Sequence, residues 1–452
     1  MQNKRLKLTL LEKIEEQNAL IIALLSRISE LEEEIRQLKS PKKDSSNSSV
    51  PPSQDPYRNK KTNSLREKSG KRPGGQQGHK GITLEMSEHP AEVKEHIPHY
   101  CNKCGEVLSG ENKEFIGKRQ VIDIPPIIPV ITEHRIFKVR CGCGHVQESD
   151  YPLEAHSTVC YGPNITAMTG YFHTRQYLPF ERMREAFSDL FNLEISSGTL
   201  NNMLERLSEK ATPVYDSIHD RISSSAVVGA DETGVCVNGK NHWAWTFQTQ
   251  LLTYIFVNFS RGKKAIDEVF PSGFPKTLLI HDCWKPYFSV ESDSHQICTA
   301  HLLRELNYLE KLYDDDWPES FRELLLEALR LKRKLPDKDI HCICSEREQA
   351  EEKLDALLEK PINEKHEKLV TFRARIEKYR KYLFGFLYRQ DVPPDNNGSE
   401  RAVRNFKVKQ KVSGLFRSAK AAQNYAILRS VIDTTRKNNQ NALGALMAIA
   451  RS

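Results

Sequence analysis

The chain has 452 residues, 38% of them hydrophobic and 28% charged, with a formal net charge of +7. That length exceeds one compact core and suggests about three domains. No run of about 20 apolar residues is present and the N-terminus has no signal-peptide core, which argues against a helical membrane protein and for a cytoplasmic one. The charge is unevenly spread. Residues 40–81 carry ten Lys/Arg against three Asp/Glu, residues 401–452 carry eleven against one, and the remainder sums to −10. Two basic segments on an acidic body point to an anionic polymer as partner. Of the ten cysteines, four form two tight pairs, a pattern that in a reducing compartment suits metal binding better than disulfides.

Residues 1–39 read as one amphipathic helix, with Leu10, Ile14, Ile21, Leu24, Ile28, Leu31, Ile35 and Leu38 on a heptad interrupted by Gln17. Ile at a and Leu at d favour a parallel two-stranded coiled coil, hence a dimer. Residues 40–81 are rich in Ser, Asn, Pro, Lys and Arg and cannot bury a core; they read as a basic linker whose glycine-rich end could also follow a DNA groove. His79 in that end is expected to face solvent.

Residues 82–150 hold Cys101-x-x-Cys104-Gly105 and Cys141-Gly142-Cys143-Gly144, separated by apolar segments at Val121 to Ile124 and Ile128 to Ile131. Glycine beside each pair lets the backbone turn its N–H groups toward the sulfurs. Two such knuckles held by strands predict a tetrahedral structural zinc site on Cys101, Cys104, Cys141 and Cys143, with His145 a possible substitute ligand.

Residues 151–222 look helical. Pro179 can open a helix carrying Met183, Phe187 and Leu190, and Ser196-Ser197-Gly198-Thr199 caps a second, short one carrying Leu200, Met203, Leu204 and Leu207. The pair is either a helix-turn-helix or part of a structural bundle.

An alternation of strands follows. Ala226 to Asp231 is a short apolar strand ending in an acid; Val235 to Val237 and Trp243 to Phe247 flank the hairpin signal Asn238-Gly239; Leu252 to Val257 is a third strand. Lys263 to Val269 looks helical, and Thr277 to Ile280 is a further strand ending at His281-Asp282. This is the element order of a ribonuclease-H-like core, in which those two strand ends are neighbours. Residues 302–390, with nineteen basic and nineteen acidic side chains, read as a helical insertion, and residues 421–450 as one closing helix.

Between them, Pro394-Asp395-Asn396-Asn397-Gly398-Ser399-Glu400 opens as a turn and continues as a basic helix. Ser399 can cap the first free N–H groups, Ala402 and Phe406 give an apolar side, and Glu400, Arg404, Lys407 and Lys411 share a face. Asp231, Asp282 and Glu400 are suited to hold two magnesium or manganese ions for phosphodiester cleavage, Asp231 bridging both. Strand alternation turns Glu232 away from Asp231, and His281 and Cys283 away from Asp282.

The blocks Asp231-Glu232-Thr233-Gly234, His281-Asp282-Cys283-Trp284-Lys285-Pro286-Tyr287, Cys298-Thr299-Ala300-His301-Leu302-Leu303-Arg304 and Asp395-Asn396-Asn397-Gly398-Ser399-Glu400-Arg401-Ala402-Val403-Arg404 resemble the catalytic blocks of insertion-sequence-66 family transposases. The resemblance extends over nearly the whole chain, since that family also has a zipper-like start, a basic segment and a cysteine region in this order. It implies a DDE transposase with Asp231, Asp282 and Glu400 as triad, acting on transposon ends and target DNA, with small companion proteins as further partners. Lys407 matches a lysine that related enzymes carry seven residues after the Glu. The arginine they often carry four residues before it is Asn396 here, which leaves Arg401 and Arg404 as candidates for the end phosphate. The expected fold is therefore multidomain α+β: coiled coil 1–39, linker 40–81, zinc-binding β module 82–150, helical domain 151–222 and ribonuclease-H-like core 223–452. A non-catalytic DNA-binding regulator and a structure-specific nuclease are the rival functions.

Overall fold

The computed structural model describes residues 16–28, 84–109, 113–152, 154–334 and 343–452, with Lys13, Glu30, Leu31 and Gly78 besides. The architecture is α+β with a mixed sheet and many helices. Residues 16–28 are helical and exposed throughout, Ile21, Leu24 and Ile28 at 51–54%. Leu10, Ile14, Ile35 and Leu38 of the heptad, and residues 40–81 of the linker except Gly78, lie outside the described residues.

In the cysteine region, β1 (Lys138–Arg140) and β2 (Val146–Glu148) pair antiparallel around the second cysteine pair. The apolar segments at 121–124 and 128–131 do not form the strands expected of them: Val121 and Ile131 are 92% and 95% exposed. No strand among the described residues pairs with them, and their apolar residues stay at the surface.

Helix α1 (Pro163–Gly170) runs into one π-helical turn, Tyr171–Arg175, followed by α2 (Phe180–Phe191) and α3 (Ser197–Ser223). Pro179 stands just before α2, and the Ser196 hydroxyl accepts the Thr199 N–H at 3.1 Å at the head of α3. Met183 and Phe187 are buried as expected, whereas Leu190 is 59% exposed. Helix α3 is also longer than expected, at 27 residues, because Ala211, Tyr215, Ile218 and Ile222 extend its buried face past Leu207. Its first half packs on α2 and its second half beneath the large sheet.

That sheet comprises β3 (Val227–Val237), β4 (Lys240–Gln248), β5 (Thr253–Asn258), β6 (Phe274–His281) and β7 (Ser292–Ile297), in the order β5-β4-β3-β6-β7. The first three are antiparallel, and β3, β6 and β7 are parallel. Asn238 and Gly239, with φ of 48° and 75°, turn the β3–β4 hairpin in the left-handed geometry that matches strand twist. Strand β3 does not end at Asp231 but runs on to Val237, since the hairpin pairs Asp231 with Thr246 and every residue after it. Helix α4 (Lys263–Val269) joins β5 to β6.

Helices α5 (Thr299–Leu312), α6 (Trp317–Lys334), α7 (Cys344–Glu359), α8 (Glu367–Lys378) and α9 (Gly385–Tyr388) share a core with Leu278 and Ile280 of β6 and Ile297 of β7. After them come α10 (Asn397–Ser413), α11 (Ala419–Lys437) and α12 (Ala442–Arg451). The single closing helix expected over 421–450 is two. Asn439 takes a φ of 56°, and the Asn441 side chain restarts the helix by accepting the Gly444 N–H at 2.9 Å.

The two faces of β3 have different tasks. Val228 and Ala230 join the large core with α3, while Val235 and Val237 join Phe406 of α10 and Tyr425 of α11. Gly229, on the second face, is where α10 begins: a Cβ there would lie 2.5 Å from Asn396 Oδ1 and 2.8 Å from Ser399 Oγ. Gly229→Ala therefore forces the head of α10 off the strand. The expected cost is about 1–3 kcal/mol of stability, read as a lower thermal midpoint, with the stability of a control Gly262→Ala little changed.

Candidate active site

Parallel pairing of β3 with β6 sets Val227 opposite Leu278 and Gly229 opposite Ile280. Two residues beyond the last pair on each chain segment stand Asp231 and Asp282, near enough for the Asp282 charge to act on Asp231. Both carboxylates lie on the sheet face that meets α10, because they share the alternation of Gly229 and Ile280. The backbone turns sharply just after Asp282: Cys283 has a φ of 73°, and Asp282 Oδ1 accepts the Trp284 N–H at 3.0 Å.

Glu232 and His281 point the other way, as alternation requires. Glu232 is held on that side by the Tyr287 hydroxyl at 2.6 Å and by Arg261 at 3.0 Å. His281 is buried and its Nε2 lies 3.1 Å from His295 Nδ1. Cys283 is buried in the core that α5 to α9 share with β6 and β7.

Glu400 comes from the first turn of α10, which is anchored by a residue that is itself 2% exposed. Asn396 Nδ2 donates to Ala230 O at 2.6 Å, and its backbone N–H donates to Cys298 Sγ at 3.1 Å. Ser399 does not cap the helix as expected; its hydroxyl donates to Asn396 Oδ1 at 2.6 Å, and Asn396 occupies the cap position. Glu400 is thus held one turn above the strand that carries Asp231. Arg304 NH2 donates to Glu400 Oε1 at 2.5 Å, and His301 Nε2 lies 3.7 Å from the same oxygen.

The site is rich in negative charge. Burial, and then the charges of Glu232, Asp282 and Glu400, push the Asp231 carboxyl well above the usual range. Burial and Asp282 also raise Glu232, against the lowering by Tyr287 and Arg261. Asp282 and Glu400 act on Asp231, but the three acids do not close into one tight cluster. Among the described residues, the set whose ligand atoms lie within 4.8 Å of one another is Cys298, His301 and Glu400. Cys298 is fully buried at the head of α5, and burial pushes its thiol up to about 12.

Residues 158–424, more than half of the chain, match the model of the Transposase IS66 family. The chain belongs to the IS66 family of transposases. It is accordingly a DDE transposase, a protein of transposition encoded by transposable elements. Residues 7–85 match a second family, one of unknown function (DUF6444). A search of curated proteins gives no match.

The structure divides the cations that the sequence placed on the α10 face of this transposase. Arg404 is 62% exposed, with its guanidinium 3.7 Å from Glu400 Oε2, and Lys411 is exposed farther along. Lys407 instead donates to Gly234 O at 2.5 Å and is half-buried, which lowers its pKa. Arg401 lies around the helix and lines a cleft of about 640 Å³ with Arg175, Gln248, Arg436 and Lys437. Arg175 and Arg436 were not legible as partners of Arg401, since they lie on distant elements without a shared motif.

Each cysteine pair forms its own tight turn. Gly105 N donates to Cys101 O at 2.9 Å and Gly144 N to Cys141 O at 2.8 Å, with positive φ at both glycines. Backbone N–H groups of Cys104 and Cys143 lower the Cys101 and Cys141 thiols. The four sulfurs do not converge within 4.8 Å in this structure. His145 contributes its carbonyl, which accepts the Cys141 N–H at 2.7 Å.

Beneath Asp282, the hydrogen-bonded His281–His295 pair ends on Ser292 Oγ, 3.1 Å from His295 Nε2. Burial and then Lys381 lower the His295 pKa from 6.5 to about 4. The unfolded chain takes up this proton near 6.5 and the folded one only near 4, so stability is complete above 6.5 and falls as the pH drops through that window. A loss of about 3 kcal/mol is expected from His295 between pH 7 and pH 4. Denaturant midpoints measured across that range should fall, and more shallowly in His295→Gln.

Proposed function

We propose that this transposase cleaves DNA at the ends of its element and joins the freed 3′-hydroxyl to target DNA in one site, built on Asp231, Asp282 and Glu400. The observation that carries the reading is the parallel pairing of β3 with β6, whose continuation leads to Asp231 and Asp282, together with the action of the Asp282 and Glu400 charges on Asp231. The strand order, an antiparallel trio continued by a parallel pair with acids on the two central neighbours, supports a ribonuclease-H-like core over 223–452 with the insertion at 302–390.

The donor set fits divalent cations. All three ligands are carboxylates, as magnesium or manganese prefers, and the raised Asp231 carboxyl marks negative charge that the protein leaves without a full counterion. Two such ions, when bound, activate the attacking oxygen and stabilise the leaving one. Asp231 feels the charges of both Asp282 and Glu400, which suits it to bridge the pair. The chain itself holds the carboxylates on a rigid strand pair and a docked helix, so little reorganisation is needed when DNA enters. Arg401, Arg404 and Lys411 are assigned to DNA phosphates, as is the arginine-lined cleft; Lys407, bound to Gly234, has a weaker claim.

In this reading residues 1–39 join two copies through the heptad stripe, of which Ile21, Leu24 and Ile28 are exposed, and residues 82–150 bind one structural zinc through Cys101, Cys104, Cys141 and Cys143. The N–H groups aimed at Cys101 and Cys141 support the second assignment. Purified protein should then carry about one zinc per chain, and Cys101→Ser with Cys141→Ser should lose it, as measured by metal analysis.

The chemistry is tested with a plasmid bearing candidate terminal inverted repeats and magnesium or manganese. Joined products are expected from the native chain. Cut but unjoined DNA would favour a nuclease, and binding without cutting a regulator. Asp231→Asn, Asp282→Asn and Glu400→Gln should each lower cleavage by about 1,000-fold or more while retaining DNA binding in a mobility-shift assay. Undiminished cleavage in any of the three removes that residue from the site.

A further inference from the structure

We propose that His301 is a direct nitrogen ligand of the divalent cation held by Glu400, so that one of the two metal positions in this transposase is a mixed carboxylate–imidazole site. The inference rests on the two-cation reading above and goes beyond its three acids.

His301 lies in the first turn of α5, two residues after that helix begins, and α5 packs against the head of α10 through Cys298 and Asn396. Its imidazole is largely buried, 14% exposed as a side chain, with Nε2 3.7 Å from Glu400 Oε1. Neither ring nitrogen has a hydrogen bond: Nδ1 is buried without a partner, and 3.7 Å is too long for one from Nε2. A buried imidazole left unsatisfied on both sides is uncommon and calls for a reason. Here it stands among acids, close enough for Asp282 and Glu400 both to act on it.

The neighbouring groups narrow its role. Cys298, the third member of the cluster, is fully buried and its sulfur already accepts the Asn396 N–H at 3.1 Å, so it serves the fold. Arg304 takes Glu400 Oε1, and no hydrogen bond among the described residues reaches Oε2. That leaves Oε2 of Glu400, which has only the exposed Arg404 guanidinium at 3.7 Å, and a nitrogen of His301 as two ligand atoms without a hydrogen bond on facing helices, with Asp282 near enough for its charge to act on the imidazole. Carboxylate and imidazole together are a donor set for a first-row divalent cation. Nitrogen ligation favours manganese over magnesium relative to an all-oxygen site, because magnesium holds to oxygen donors.

The test uses the full-length protein loaded with Mn²⁺ and a DNA end whose scissile linkage is uncleavable. Electron spin-echo modulation is recorded on protein carrying natural-abundance and ¹⁵N-labelled histidine. A nitrogen coupling that changes with the label, and that disappears in His301→Leu, is the expected result. Mn²⁺ affinity in that variant should fall about 10-fold or more, with a smaller loss for Mg²⁺. Bound Mn²⁺ without label-sensitive coupling, or coupling that survives in His301→Leu, overturns the inference while leaving the three carboxylates in place. Because the label experiment is done on the native sequence, it stands even if the variant folds poorly. Failure of the native protein to bind Mn²⁺ at all, with or without DNA, removes both this ligand and the two-cation reading. Mn²⁺ binding that persists undiminished in Asp282→Asn and Glu400→Gln removes those acids as ligands and overturns the mixed carboxylate–imidazole site with them.

Discussion

Asn396 joins the parts of the site. Its amide donates to the carbonyl of Ala230, its carbonyl oxygen accepts the Ser399 hydroxyl, and its backbone N–H reaches Cys298. One buried side chain thereby ties the strand before Asp231, the head of the Glu400 helix and the head of the His301 helix. An unpaired amide at that depth would cost about 1–3 kcal/mol, so the three contacts stand or fall together. Gly229 is the complement of this arrangement: the absence of a Cβ is what lets Asn396 and Ser399 approach the strand.

On that scaffold the electrostatics are deliberately unbalanced. The charges of Asp282 and Glu400 act on Asp231 across a half-buried space, while Arg304 pairs with Glu400 and Arg261 with Glu232. A protein selected for stability alone would pair or remove such charge. Burial first, and then this repulsion, account for the raised carboxyl of Asp231.

Much of the catalytic region was legible locally. Asn238-Gly239 specified its hairpin, Lys263 to Val269 its helix, and Ser196 the head of α3, because each depends on residues a few positions apart. Strand β7 was not legible. Its Ser-Asp-Ser-His-Gln-Ile sequence is polar, and His295 and Gln296 are buried because Gln296 bonds Leu383 O at 2.8 Å and His295 bonds His281 and Ser292. The apolar segments near 121–131 misled in the opposite direction, since apolar sequence alone does not supply a partner strand.

The sequence by itself determined the kinds and order of the acids, the turn and helix carrying Glu400, the cysteine turns and the family. These are properties of short segments, set by backbone preference and side-chain chemistry. The tertiary structure alone decided that Lys407 faces Gly234, that Asn396 is an anchor, and that His301 and Arg304 flank Glu400. The physical reason is distance along the chain: Arg304 and Glu400 are 96 residues apart, and Lys407 and Gly234 173. Contacts of that span are fixed by how strands register and helices dock, which no local pattern contains.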